Sequence, residues 1–454
     1  MNRRIERREC WMNRRIERRL LIILTFGFFC SFILVIHNSL QVPKTSLDSS
    51  EFKQLNDKLN KFENSLIQER QELEDLQLEV DRKFALHPHA QIKKNLDLPL
   101  KPWVEPIPIV VFACNRPVAL REHLRKLISF RKDINQFPII VSQDCDNTQI
   151  KSVVVEFGEN VQYIKHISSE TARIKVPKEH RQFAVYYKIS RHYKLALGHI
   201  FDKMGYSSVI ITEDDLTVAP DFFDYFLATR PLLELDKTLF CVSAWNDNGV
   251  PEFIDQTANE LLYRSDFFAG LGWMMTRDFW QEIGPKWPPG FWDDFIREPA
   301  QRKNRSCIRP ELSRTGMTEF GQKGASGIFL NQKPTNFNQL DLSYLLKQKY
   351  DSSFLKKVYS IKNASLNEIL MKNVEEDGQN EFRIEYESMD NFLNIARKIG
   401  IMADTKAGVP RTAYLGIISF FLKGSRIFIA PSNSTKWNGY DTKWEAPRNV
   451  LDGL

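Results

Sequence analysis

Two acidic clusters in this 454-residue chain carry the residue types that chemistry needs. Glu213-Asp214-Asp215 follows a strand-like run, Ser208 to Thr212. A strand ending in clustered carboxylates presents them at a fixed edge. Mg²⁺ or Mn²⁺ takes hard oxygen ligands, often one or two carboxylates plus substrate phosphates. A metal so held would neutralise a diphosphate leaving group. An isolated acidic triplet is more often a solvated turn, so its surroundings decide. The second cluster is Asp293-Asp294 in Pro-Gly-Phe-Trp-Asp-Asp-Phe. A hydroxyl is a poor nucleophile and needs a base within hydrogen-bond reach. Beside Trp292, such a carboxylate is expected to be partly desolvated, which raises its basicity. The bland alternative is an acidic first turn of a helix. His192 falls on a predicted helix, where a lone His is more often structural. The Gly-rich stretch 321–327 reads equally as a mobile loop or a linker. There is no HExxH, paired CxxC or P-loop pattern.

The elements that must position these residues alternate. Strand-like runs occupy Ile107–Cys114, Phe137–Ser142, Val161–His166 and Ser208–Thr212. Helical spacing falls between them: Leu120, Leu124, Leu127 and Ile128, then residues 149–157, then a long helix over Glu179–Met204. Nearly continuous apolar strands alternating with helices predict a parallel sheet covered on both faces. Three strands run into polar residues, at Arg116, at Asp144 and at the triplet. Ligands of open α/β sheets bind outside the carboxyl ends of the strands. Arg116, Asp144 and Asp215 are therefore expected to line one crevice. Ser419–Leu422 and Arg426–Ile429 flank Lys423-Gly424-Ser425 and predict a hairpin in a smaller second domain from about residue 350.

The formal net charge is +6. Residues 1–19 hold eight Arg and three Glu, so the remainder carries only +1, which argues against nucleic-acid binding. The basic tail precedes 17 uncharged residues, Leu20 to Ile36, and only Lys44 follows in the next fourteen. This reads as a short signal-anchor with a cytosolic N-terminus and a luminal remainder. The competing cleaved signal peptide lacks a small-residue cleavage site. Residues 1–8 recur at 12–19, so Met12 is a second candidate start. Cys114, Cys145, Cys241 and Cys307 would be luminal and oxidised, with three pairings open. Sequons begin at Asn304, Asn363 and Asn433. Phe52, Leu59, Leu66, Leu73 and Val80 recur every seven residues, with Leu55, Phe62 and Leu76 between them and Glu69 breaking the pattern. That spacing predicts a coiled-coil stem over 52–83 that could pair two chains, or a single amphipathic helix.

Six strings carry a resemblance: IITEDDLTVAPDFFDYF, CVSAWNDNG, LLYRSDFFAGLGW, FWDDF, RPELSRT and QLDLSYL. From about Ile107 to about Asp441 the chain resembles the N-acetylglucosaminyltransferase I family. The resemblance implies a GT-A nucleotide-sugar-binding α/β fold with a mostly parallel sheet. It implies a catalytic domain over 104–321, a lid and linker over 322–350 and a C-terminal α+β domain over 351–454. Before these come the tail at 1–19, the anchor at 20–36 and the stem at 37–103. It implies a UDP-GlcNAc donor, Mn²⁺, and inverting transfer to the 2-hydroxyl of the α-1,3-linked mannose of a high-mannose N-glycan in the Golgi. By the same resemblance Asp215 is the metal ligand. Glu213 and Asp214 hold the donor, Arg116 lies near its phosphates, and Asp144 and His192 lie at the uridine. Asp293 is the general base, Trp292 lies beside the sugar, and Ser326 contacts the donor. The implied disulfides are Cys114–Cys145 and Cys241–Cys307. Phe320 to Gln339 is shorter than the family pattern, and Ala325-Ser326 stands for the usual Val-Ser. The shortening leaves two other outcomes open: transfer to O-linked mannose, or an inactive glycan-binding paralogue.

Overall fold

The computed structural model describes residues 103–321, 328–371 and 381–432, with a few helical positions before them. The chain divides into two compact units, Met1–Lys94 and Asn95–Leu454. In the first, Asp57, Lys58, Lys61, Phe62, Ser65 and Gln68 are helical and exposed. The basic tail, the apolar run Leu20–Ile36 and the other heptad positions lie outside the described residues. Among the described residues, no helix is long and apolar enough to cross a membrane.

The second unit opens with strand β1 (Ile109–Ala113) and helix α1 (Pro117–Phe130). Pro117 starts α1 where its missing N–H costs nothing. Then come β2 (Ile139–Gln143), α2 (Thr148–Glu156) and β3 (Val161–Lys165). Asn147 caps α2 by accepting from the Gln149 N–H at 2.8 Å. The long helix expected over Glu179–Met204 is three pieces. A 3₁₀ segment Lys178–Phe183 precedes α3 (Ala184–Gly198), and a wider π turn His199–Lys203 follows. Gly198, a weak helix former, sits at the second break. Next are β4 (Ser208–Glu213), β5 (Leu216–Val218), α4 (Phe222–Leu235), β6 (Leu239–Ser243), β7 (Leu262–Ser265) and β8 (Trp273–Thr276). Short helices α5 (Arg277–Ile283), α6 (Trp292–Arg297) and α7 (Pro299–Arg302) lead to β9 (Ser306–Pro310) and β10 (Thr315–Met317).

Eight strands form one sheet in the order β3-β2-β1-β4-β8-β6-β9-β7. β3, β2, β1 and β4 are mutually parallel, as is β6 with β9. β8 and β7 enter antiparallel, so the sheet is more mixed than the sequence pattern predicts. Alternate residues feed opposite faces. Ile109, Val111 and Ile210 join one core, while Val110, Phe112, Val209 and Ile211 join the other. Burial on both faces explains why these strands read as unbroken apolar runs. Cys114–Cys145 and Cys241–Cys307 are both disulfide-bonded.

Helix α8 (Lys347–Ser360) runs through residue 351, where a second domain was expected to begin. After it come α9 (Leu366–Met371), β11 (Glu381–Tyr386), α10 (Met389–Ile399), β12 (Thr405–Lys406), β13 (Val409–Pro410), β14 (Ile418–Leu422) and β15 (Ser425–Pro431). β14 and β15 form the expected hairpin, and β11 joins β15 in parallel. Lys423 and Gly424 both have positive φ, which a tight hairpin turn requires. Ile384, Phe392, Ile418 and Ile427 build a separate core here, against which Phe267 of the first layer packs.

Candidate active site

The chain runs β1, β2, β3 outward and then returns to place β4 on the other side of β1. The carboxyl ends of β1 and β4 therefore flank a topological switch point, where open α/β sheets bind ligands. Arg116, just past β1, spans it. Its Nη2 lies 2.5 Å from Asp214 Oδ1, and its Nη1 lies 2.9 Å from Asp215 Oδ2. Residues far apart in sequence thus meet as the strand ends predict. β5 pairs antiparallel with β10, which brings the chain after Thr315 onto the triplet. Thr318 donates from its backbone N–H and its hydroxyl to the Asp215 carbonyl, at 2.9 and 2.8 Å. Arg116 Nη1 also donates to the Phe320 carbonyl at 3.1 Å.

The three carboxylates repel one another in a dry setting. Burial pushes Glu213 up to about 7, and Asp215 and Asp214 add to the push. Burial raises Asp214 to about 6, with Arg116 holding it back and Asp215 adding repulsion. Tyr193 donates to Glu213 Oε1 at 2.9 Å. A divalent cation fits this donor set, because hard oxygens under mutual repulsion gain most from one. Gly321 leaves the space open: a Cβ there would stand 3.1 Å from Asp215 Oδ2. Among the described residues, no group of three or more His, Cys, Asp or Glu side chains converges on a metal position.

Asp144 directly follows β2, next to β1. Arg191 Nη1 lies 2.5 Å from its Oδ1. Burial nevertheless raises Asp144 to about 6. His192 is buried on α3, with its Nε2 2.9 Å from Ser142 Oγ. Burial lowers it to about 3, so its imidazole is neutral at physiological pH. The structure thus brings Asp144 and His192 together at the carboxyl end of β2.

Trp292 and Asp293 open α6. Phe291 before them holds a left-handed conformation, φ 54° and ψ 44°, which is strained for a bulky residue. It is packed against Tyr186, with ring centroids 5.1 Å apart. Trp292 is only 7% exposed. Its ring stacks on Tyr193 at 4.1 Å, and Tyr193 stacks on Phe112 at 4.0 Å. One face of the Trp292 ring is therefore covered by Tyr193. That packing fixes the start of α6, and with it Asp293, relative to the triplet.

The expected rise in Asp293 basicity is also corrected. Burial alone would raise it, but Arg297 Nη1 stands 2.6 Å from its Oδ2 and, with Lys406 adding positive charge, outweighs that effect. Asp293 stays below the usual carboxylate range. Arg297, Tyr193 and Arg191 are site residues that sequence reasoning missed. Arg297 sits four residues after Asp293, a helical ion-pair spacing that could have revealed it. Ser326 and most of the Gly-rich stretch lie outside the described residues.

A switch-point acidic triplet bridged by Arg116, with a second carboxylate fixed nearby through Tyr193 and Trp292, defines an α/β enzyme of the glycosyltransferase class. The chain belongs to the GNT-I family, whose pattern matches residues 19–444. It is 34% identical over 407 residues to the alpha-1,3-mannosyl-glycoprotein 2-beta-N-acetylglucosaminyltransferase of Arabidopsis thaliana, covering 87% of this chain and 86% of that one. Likeness to solved structures is slighter. The mannosyltransferase PcManGT from Pyrobaculum calidifontis, in complex with GDP-Man and Mn²⁺, is 15% identical with a TM-score of 0.29, over 50% of this chain and 64% of that one. S. aureus TarS 1-349 is 11% identical with a TM-score of 0.34, over 58% and 76%. Similarity that slight supports no functional inference.

Proposed function

We propose that this enzyme transfers GlcNAc from UDP-GlcNAc, with inversion, to the 2-hydroxyl of the α-1,3-linked mannose of a high-mannose N-glycan. The observation that carries the reading is the Arg116 bridge to Asp214 and Asp215 across the switch point. It supplies a cation and clustered oxygens where a nucleotide diphosphate binds in such sheets. Family membership and the Arabidopsis relative support the choice of donor sugar and acceptor.

In this reading Asp215 holds Mn²⁺, and Glu213 and Asp214 hold the donor. Once bound, the metal supplies positive charge to the departing diphosphate. Arg116 balances Asp214 and Asp215, and its guanidinium stands where it would also meet the donor phosphates. Asp144 and the neutral His192 offer an acceptor and an imidazole for the uracil edge. Asp293 takes the proton from mannose O2 as that oxygen attacks the anomeric carbon and the bond to UDP breaks. A depressed carboxylate is a weaker base, but it is fully ionised at luminal pH. Arg297 fixes its orientation.

The location belongs to the same proposal: a Golgi membrane protein of type II, anchored by Leu20–Ile36 and paired through its stem. The test is incubation of the purified enzyme with UDP-GlcNAc, Mn²⁺ and a five-mannose N-glycan. A mass gain of one GlcNAc is expected. Donor binding without transfer would instead identify a glycan-binding paralogue, and transfer only to O-linked mannose would move the acceptor.

A further inference from the structure

A cavity of about 540 Å³ opens between the edge strand β7, helix α8 and the β14–β15 hairpin. Ligand pockets commonly run from about 300 to 1,000 Å³ and favour the seams between layers. Its walls carry Tyr263, Tyr350, Phe354 and Phe421, with Arg426 and Asp255 among them. Lys357 and Glu381, 2.5 Å apart, also line it. Acidic and basic groups balance, so the lining does not select an ion. Flat aromatic faces beside paired charged hydrogen-bonding groups suit a neutral ring rich in hydroxyls.

Arg426 gives a second, independent pointer. It is more than nine-tenths buried, and one nitrogen pairs with Glu311 Oε1 at 2.8 Å. Its other terminal nitrogen, Nη1, has no hydrogen-bond partner among the described residues. Arg309 Nε, close by over the Tyr263 ring, has none either. An unpaired buried donor is costly, and a ligand oxygen offsets that cost.

The position matters as much as the lining. β9 is parallel to β6 and pairs antiparallel with β7, matching Pro310 with Leu262. β6 and β4 are both antiparallel to β8, so β4, β6 and β9 point the same way. The cavity end of β7 therefore lies on the same sheet edge as the acidic triplet. Four strand steps separate them, which is about 19 Å at about 4.8 Å per step.

We infer that this cavity is a second carbohydrate subsite, which binds a neutral hexose on another branch of the glycan being modified. The inference rests on the proposed glycan acceptor. Ser353 lies on the exposed side of α8 and lines the cavity, so Ser353→Trp fills it and leaves the distant triplet unchanged. Binding of a five-mannose N-glycan to the full chain, without donor, is read by saturation-transfer NMR. Wild type is expected to bind, and Ser353→Trp to bind about tenfold more weakly. In turnover, Ser353→Trp is expected to raise KM for that glycan about tenfold and to leave kinetics with a simple alkyl α-mannoside unchanged. Equal binding by Ser353→Trp and wild type overturns the inference. If Ser353→Trp does not fold, Phe421→Ala removes one aromatic wall and decides the same question. The binding arm needs no catalysis, so a failed transfer reaction and an empty subsite give different results.

Discussion

Arg297 Nη1 stands 2.6 Å from Asp293 Oδ2, one helical turn away on α6. The pair explains how a carboxylate beside a tryptophan stays acidic. It also makes the base sensitive to one substitution. The Asp293 side chain is 37% exposed, so solvent screens part of the attraction. Arg297→Met is expected to move the acid limb of the kcat/KM profile to higher pH. The sign follows from the depressed carboxylate: it ionises below the ordinary range, and losing its cation raises that point. An unmoved acid limb would mean that Asp293 does not govern it.

Asp293→Asn keeps the shape of the side chain and removes its basicity. Turnover is expected to fall by about 10²–10⁴, the usual worth of general-base catalysis. Donor binding, measured by calorimetry with Mn²⁺, should stay within about twofold. Near-normal turnover would place the base elsewhere.

The triplet makes a prediction about stability. Folding raises Glu213 to about 7 and Asp214 to about 6, so the folded state binds protons more tightly than the unfolded one. Their contribution is fully present below the ordinary carboxylate range and is lost as pH rises through about 6 to about 7. Mn²⁺ offsets that repulsion. The rise in Tm on adding Mn²⁺ is therefore expected to be larger at pH 8 than at pH 5, and Asp215→Ala should abolish it. An equal rise at both pH values would separate metal binding from the triplet.

Arg116→Met leaves Asp214 and Asp215 without their cation. Because the Arg116 side chain is 38% exposed, the stability cost is discounted to about 1–2 kcal/mol. Urea unfolding measures it. The larger effect is expected in donor KM, since the same guanidinium is the one proposed for the phosphates.

Much of this site was legible because strands impose direction. Arg116, Asp144 and Asp215 each follow an apolar run, and parallel pairing carries all three to one edge. The C-terminal hairpin was legible from its turn chemistry at Lys423-Gly424. The role of Trp292 was not. Only tertiary packing shows Tyr193 against one face of its ring. The lowered acidity point of Asp293 was missed because local desolvation was weighed without Arg297 at helical spacing. The antiparallel entry of β7 and β8 was hidden for a different reason. Strands buried on both faces show the same apolar run whichever way they pair. The cavity beside Arg426 was out of reach, since β7, α8 and β15 meet only in the fold.

The most direct measurement is the linkage of the product, read by NMR after the purified enzyme has acted on a five-mannose N-glycan with UDP-GlcNAc and Mn²⁺. The expected product carries one new β-linked GlcNAc on O2 of the α-1,3-linked mannose. An α-linked GlcNAc, attachment at another hydroxyl, or no product despite bound donor would contradict the assignment of Asp293 and the acidic triplet to this transfer.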